Sequence, residues 1–304
     1  MTLRRFLNAG LIALSLLAGV ARAADPVVVA SKADTEGAVL GSLIQLALEG
    51  AGIPTMNRIG LGDTDAVRSA LLEGEIDLYP EYTGNGARFF DMIGNPIWMN
   101  RTASYAFVRE HDLVANGIVW LEPADADNSW AISVRGDLAR EQDLHTLADL
   151  AHYLNGGGHF KLAASREFVE SRSALPAFQW AYGFDLGPDQ LEIMPDGDTA
   201  ATMHAAASGE GGVNAAMAYG TDAGLKSLDL RIMTDTQGVQ PVYQPAATLR
   251  RDVLDAYPQI PAVLQPVFAA LNQEVLQQLN EEVAIEALDA HQVAERFLAS
   301  LRSP

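Results

Sequence analysis

Cysteine is absent from the 304 residues, and that one absence excludes a disulfide framework, thiolate metal ligation, a cysteine nucleophile and a lipidated N-terminal cysteine. Basic residues are scarce. Twenty Lys and Arg stand against 39 Asp and Glu, no Lys/Arg-rich run occurs, and the formal net charge is −19. Such a chain repels phosphate backbones and anionic membrane surfaces, so nucleic acid is not an expected partner. Beyond the N-terminus no apolar run reaches the roughly eighteen residues a membrane-spanning helix needs. Catalytic signatures are missing as well: HExxH, GxSxG, GxxxxGK[ST] and GxGxxG are all absent, and Gly60-Leu61-Gly62 is followed by Asp65 where a third glycine belongs. His145, His152 and His159 are spaced by seven, which does not put two imidazoles on one helix face, and the calcium-like run from Asp125 has Trp130 where glycine is needed. No metal and no cofactor are expected.

What is present describes a globular protein. The chain is 49% hydrophobic and 19% charged, and its length suggests about two domains. Arg4 and Arg5, an apolar stretch from Leu7 to Val20, and Ala21-Arg22-Ala23 form a signal-peptide pattern over residues 1–23, so the mature chain is expected to be exported and soluble from Ala24. Removing Arg4, Arg5 and Arg22 takes the net charge from −19 to −22, which favours a freely diffusing monomer.

Along the mature chain, β-rich runs alternate with helical periodicity. Val27-Val28-Val29 predicts a strand, and Val39, Leu40, Leu43, Ile44, Ala47 and Leu48 recur at helical spacing. Asp63 or Thr64 can cap a helix that Gly74 ends, and Ile76 to Tyr79 predicts a strand stopped by Pro80. A second series starts at Trp130 and runs through Ala215–Tyr219 to Met233. The alternation predicts an α/β fold with two parallel-sheet lobes. From Val253 to Leu301 the pattern is almost wholly helical, as if the chain returned to cover the first lobe. The expected division is lobe 1 over 24–128, lobe 2 over 129–236 and the return to lobe 1 over 237–304.

The polar and aromatic groups concentrate at strand-to-helix junctions, where α/β sheets bind ligands. Ser31-Lys32-x-x-Thr35-Glu36, Leu61-Gly62-x-Thr64 and Gly74-Glu-Ile-Asp-Leu-Tyr-Pro-Glu-Tyr-Thr-Gly84 resemble the osmoprotectant-binding proteins of ABC importers for glycine betaine and choline. Asn128-Ser129-Trp130-Ala131, Glu167-Phe168, Ala174-Leu-Pro-Ala-Phe178, Gly212 to Asp222 and Gln237 to Tyr243 extend the resemblance over almost the whole mature chain. It implies a bilobed periplasmic-binding-protein fold (type II-like) closing on a two-strand hinge, a periplasmic location, an ABC permease as transient partner and no enzymatic activity.

Carried over from that family, the aromatic cage for a quaternary amine maps to Tyr82, Trp130, Tyr219 and Tyr243. A trimethylammonium group donates no strong hydrogen bond, so ring faces suit it. The resemblance assigns the polar end to Lys32, Asn85, Asn128 and Arg172. Lys32 is one of only three lysines, and the matching family lysine meets a carboxylate. Asn128 replaces an aspartate of some members, and Asn85 replaces a threonine. The family's Glu-Phe-x-x-Arg would put arginine at position 171, whereas this chain has Ser171 followed by Arg172. If the segment is helical, that one-residue shift turns the side chain by about 100°, out of the cleft, leaving Lys32 to hold a carboxylate alone, whereas an irregular loop would let Arg172 reach back. The competing expectation is a secreted hydrolase or lyase using Glu36, Asp77 and Glu81. A ligand sensor uncoupled from transport is the other alternative.

Overall fold

The computed structural model describes residues 25–194 and 199–302, so the signal peptide expected over residues 1–23 lies outside the described residues. The described strands, in chain order, are β1 (Val27–Lys32), β2 (Thr55–Gly62), β3 (Leu78–Tyr82), β4 (Ile118–Trp120), β5 (Trp130–Arg135), β6 (Leu162–Ser165), β7 (Leu191–Met194), β8 (Ala215–Tyr219), β9 (Leu230–Ile232) and β10 (Pro245–Arg250). They form two five-stranded sheets, ordered β2-β1-β3-β10-β4 and β7-β6-β8-β5-β9.

Both sheets are mixed, which corrects the expectation of parallel ones. β1 is parallel to β2 and β3, but β10 runs antiparallel to β3 and β4. Likewise β6 is parallel to β7 and β8, while β5 runs antiparallel to β8 and β9. The crossings explain this. β1, β3, β6 and β8 carry their C-terminal ends to the space between the lobes. A chain that crosses must leave on a strand running toward that space, β4 or β9, and enter the other sheet on one running away from it, β5 or β10. Each crossing therefore contributes one reversed strand, to the sheet it enters. β3 also passes through Pro80 rather than stopping there: Pro80 pairs with Ala247 of β10, while the β1 side of β3 pairs only at Leu78.

Helices cover both faces of each sheet. The helix Thr35–Gly50 buries Val39, Leu40, Leu43, Ile44 and Leu48 against one face of the first sheet, with the late helices Ile260–Ala270, Gln273–Ala284 and Ala290–Arg302 closing over it. The opposite face is packed by Val67, Leu71, Trp98 and Val108. There Arg68 makes a buried bidentate pair with Asp112, at 2.8 and 2.6 Å, and Asp112 also accepts from Trp120 Nε1 at 2.7 Å. The second sheet has its own core on each face, around Phe168 and Phe178 on one and Met203 and Leu225 on the other.

The two crossing segments lie side by side. Asn128 N–H donates to the Tyr243 carbonyl at 3.0 Å, and Tyr243 N–H donates to Asp127 Oδ1 at 2.9 Å. The late helix Gln273–Ala284 carries a polar stripe against the crossing and the second lobe. Gln273 brackets the Asp127 backbone, Gln277 Nε2 donates to the Gly220 carbonyl at 2.7 Å, and Asn280 Nδ2 donates to the Thr221 carbonyl at 2.8 Å. Gly220 is required here, since a Cβ would sit 2.1 Å from the Asp127 carbonyl oxygen.

Candidate functional site

The sheet topology delivers the aromatic and polar side chains to one place. Lys32 ends β1, Tyr82 ends β3, Trp130 opens β5, Tyr219 ends β8, and Asn128 and Tyr243 sit on the two crossings. These six, with Asn85, line a cavity of about 360 Å³, within the range of small-molecule sites. Seven of the eight residues singled out from sequence are thereby brought together. Arg172 is the exception: it is exposed and does not line the cavity. The helix Arg166–Glu170 stops before it, with Ser171 in an extended conformation, so helical rotation is not what turns Arg172 away. It lies in a turn, and the neighbouring Ser173 faces the cavity instead.

Backbone register builds the rings into pairs. Trp130 and Tyr219 are directly opposite across β5 and β8, with ring centroids 6.3 Å apart and planes 27° from parallel. Phe168 meets Trp130 edge-on at 5.8 Å and fixes its tilt. On the first lobe, the Tyr243 ring lies against Gly84, whose absent side chain is what admits it: a Cβ there would come within 2.8 Å of the ring carbons. Burial raises the pKa of the Tyr82, Tyr219 and Tyr243 hydroxyls, so all three rings are neutral at ordinary pH.

Buried carboxylates flank these rings. Lys32 Nζ is 2.7 Å from Glu81 Oε1 and 4.5 Å from the centre of the Tyr82 ring. Glu81 is fully buried and also accepts from Asn85 Nδ2 at 2.7 Å, the Tyr82 backbone N–H at 2.7 Å and the Tyr79 hydroxyl at 2.8 Å. The Lys32 charge is thus already engaged within the protein. On the other side of the ring, the Tyr82 hydroxyl donates to Glu36 Oε1 at 2.5 Å. Asn128 donates to the same oxygen at 3.3 Å, while its own Oδ1 is buried with no hydrogen-bond partner. An unpartnered carbonyl oxygen is a favourable neighbour for a cation that cannot donate a strong hydrogen bond.

The carboxylates that a hydrolytic mechanism would require are otherwise occupied. Glu36 and Glu81 are held as described, and Asp77 accepts from the Val28 N–H at 2.8 Å and pairs with Arg250 at 3.3 Å, outside the cavity. Among the described residues no group of three His, Asp or Glu side chains is arranged to hold a metal. The lining also includes Asp34, Thr64, Ser173, Gln240 and Pro241, which sequence reasoning did not assign to the site. Asp34 has the N-cap role its position suggests, accepting from Gly37 N–H at 2.7 Å, and faces the cavity as well. Gln240 is oriented by a 2.6 Å hydrogen bond from its Nε2 to the Ser173 carbonyl, a contact between segments 67 residues apart that no local signal announces.

Comparison with known proteins gives the family. The family model described as the substrate-binding domain of ABC-type glycine betaine transport systems matches residues 25–300. The chain belongs to that family. Among its relatives is the glycine betaine-binding protein YehZ of Escherichia coli, 51% identical over 298 residues and 98% of both chains. A glycine-betaine-binding protein of Pseudomonas aeruginosa is 28% identical over 92% of this chain and 89% of its own. In structure, ligand-free YehZ from E. coli superimposes with a TM-score of 0.87 at 53% identity, covering 91% of this chain and 99% of the other. The family's role, solute binding for an ABC importer, is therefore this chain's role, and the two mixed-sheet lobes are its fold.

Proposed function

We propose that the cleft traps a quaternary amine, glycine betaine, choline or a close relative, between Tyr82, Trp130, Tyr219 and Tyr243, and presents it to a membrane permease. The observation that carries this is the convergence of four rings from both lobes and the return crossing on one cavity whose single lysine is already neutralised. Each ring face contributes about 0.5–2 kcal/mol to a caged cation, which together supports roughly micromolar binding once association entropy is subtracted. The hinge lies near 128/129 and 236/237. The chain acts as an exported periplasmic monomer after loss of residues 1–23, and it releases its ligand chemically unchanged.

Calorimetric titration against glycine betaine, choline, carnitine and proline betaine tests the assignment. Stoichiometric binding, compaction in solution scattering and a raised melting temperature are the expected results. Failure of all four amines to bind would remove the cage assignment, and recovery of a chemically altered ligand would revive the hydrolase alternative.

A further inference from the structure

Glu36 is 5% exposed and sits in the first turn of the helix Thr35–Gly50, directly behind the cage. Its partners are drawn from four separate parts of the fold. The Tyr82 hydroxyl at the end of β3 donates at 2.5 Å, Asn128 on the first crossing at 3.3 Å and Asn280 on the late helix at 2.7 Å, and Thr221 of the second lobe adds a side-chain hydrogen bond. Every one of these donors is neutral, and among the described residues Glu36 makes no ion pair. The nearby charged groups do not supply what is missing. Asp34, two residues earlier, is negative and opposes ionisation. Lys32 lies on the Tyr82 ring but is bound to Glu81. Asp127 on the crossing, Asp222 beside Thr221 and Glu281 beside Asn280 are all acidic.

A buried carboxylate facing only neutral donors is an incomplete electrostatic arrangement, because hydrogen bonds alone compensate its lost hydration only in part. One hydrogen bond away is a cavity built for a cation. We propose that Glu36 is the counter-charge of the caged cation and acts through Tyr82 as a positioning residue of the site. A hydroxyl that donates to a carboxylate enriches its ring in electron density, so the Tyr82 face attracts a cation more strongly when Glu36 is ionised. The proposal rests on the cage reading above and adds a consequence to it. Burial raises the Glu36 pKa in the free protein, and a cation arriving in the cage favours the ionised form. The Glu36 O–H bond then breaks, and its proton passes to the buffer as the ligand enters.

Choline is the decisive probe, because it has no group that titrates near neutrality. The full mature chain is titrated with choline in buffers of different ionisation enthalpy, from about pH 5 to about pH 8. Net proton release is expected, with affinity rising by up to about tenfold per pH unit where release is largest. The uncharged isostere 3,3-dimethylbutan-1-ol should release no proton at any pH. Glu36→Gln, which keeps an acceptor for Tyr82 and removes the charge, should abolish both the release and the pH slope and weaken choline about five- to thirtyfold. The wild-type comparison of choline with its isostere stands even if that variant folds poorly. If choline binds with no proton release across the range, or if Glu36→Gln retains wild-type release and slope, the role assigned to Glu36 is wrong while the cage stands. If choline and glycine betaine both fail to bind, the cage reading falls and this inference falls with it.

Discussion

Lys32 and Glu81 form a buried ion pair at 2.7 Å in the wall of the cleft, so the lysine meets a ligand with its charge already balanced. The first prediction concerns selectivity. Removal of a charge-assisted contact typically costs about 1.5–3 kcal/mol, and Arg172 lies outside the lining. Glycine betaine is therefore expected to bind less than about tenfold more tightly than choline. Parallel calorimetric titrations decide it, and a large preference for glycine betaine that disappears in Arg172→Ala would show that this arginine reaches the ligand.

The same pair predicts a stability effect. Lys32→Met leaves Glu81 buried and without its cation, which should lower folding stability by about 3–5 kcal/mol, whereas the double variant Lys32→Met/Glu81→Gln should recover much of that loss. Denaturant unfolding of the single and double variants measures the coupling.

Among the rings, alanine at Tyr82, Trp130, Tyr219 or Tyr243 should each weaken a quaternary amine by about 1–2 kcal/mol. Phenylalanine separates two roles. Tyr219→Phe should cost little, since the ring face remains. Tyr82→Phe removes a donor to a buried carboxylate and should lower stability by about 1–3 kcal/mol. Gly84→Ala should weaken binding without deleting any ring, by pushing Tyr243 aside.

Acid behaviour follows from Glu36. Burial raises its pKa above the usual 4.5, so the folded state holds this proton more tightly than the unfolded state. The ligand-free protein should therefore lose stability from this group as pH rises through the interval above 4.5. Asp137 opposes it: the Arg135 side chain holds its pKa down to about 2, a contribution present at neutral pH and lost in acid. The Glu36 effect is accordingly read as the difference between wild type and Glu36→Gln in urea melts across that interval, which should grow with pH. A pH-independent difference would contradict the buried ionisation.

The sequence was most legible where chemistry and local geometry coincide. Tyr82, Trp130, Tyr219 and Tyr243 sit beside strand ends that their own motifs announce; β5 opens at Trp130 and β8 spans Ala215–Tyr219, as predicted. Strand direction was less legible, because alternation of strands and helices does not record that a crossing reverses the strand that follows it. β10 was invisible as a strand: Pro245-Ala246-Ala247-Thr248 has weak β character, and only its place between β3 and β4 gives it a partner on each side. Glu36 and Glu81 looked like candidate catalytic acids because sequence shows carboxylates without their partners. Arg172 drew notice by its place one residue beyond the family's arginine, yet a turn after Glu170 brings Ser173 to the cavity instead.

The pairing of Trp130 with Tyr219 in one sheet, and of Tyr243 with the β3 end in the other, divides the proposed cage into two halves, each assembled in the ligand-free protein. On that proposal, association is a sequence of two encounters. A cation lands on one finished half at a rate governed by diffusion and the negative field of the protein, and it dwells there only briefly. The lifetime of the complex is decided afterwards, by how long the second half stays shut over it. Substitutions within a half should change the arrival and dwell of the first encounter, whereas changes at Gly220 or on the glutamine stripe of the late helix should alter escape alone.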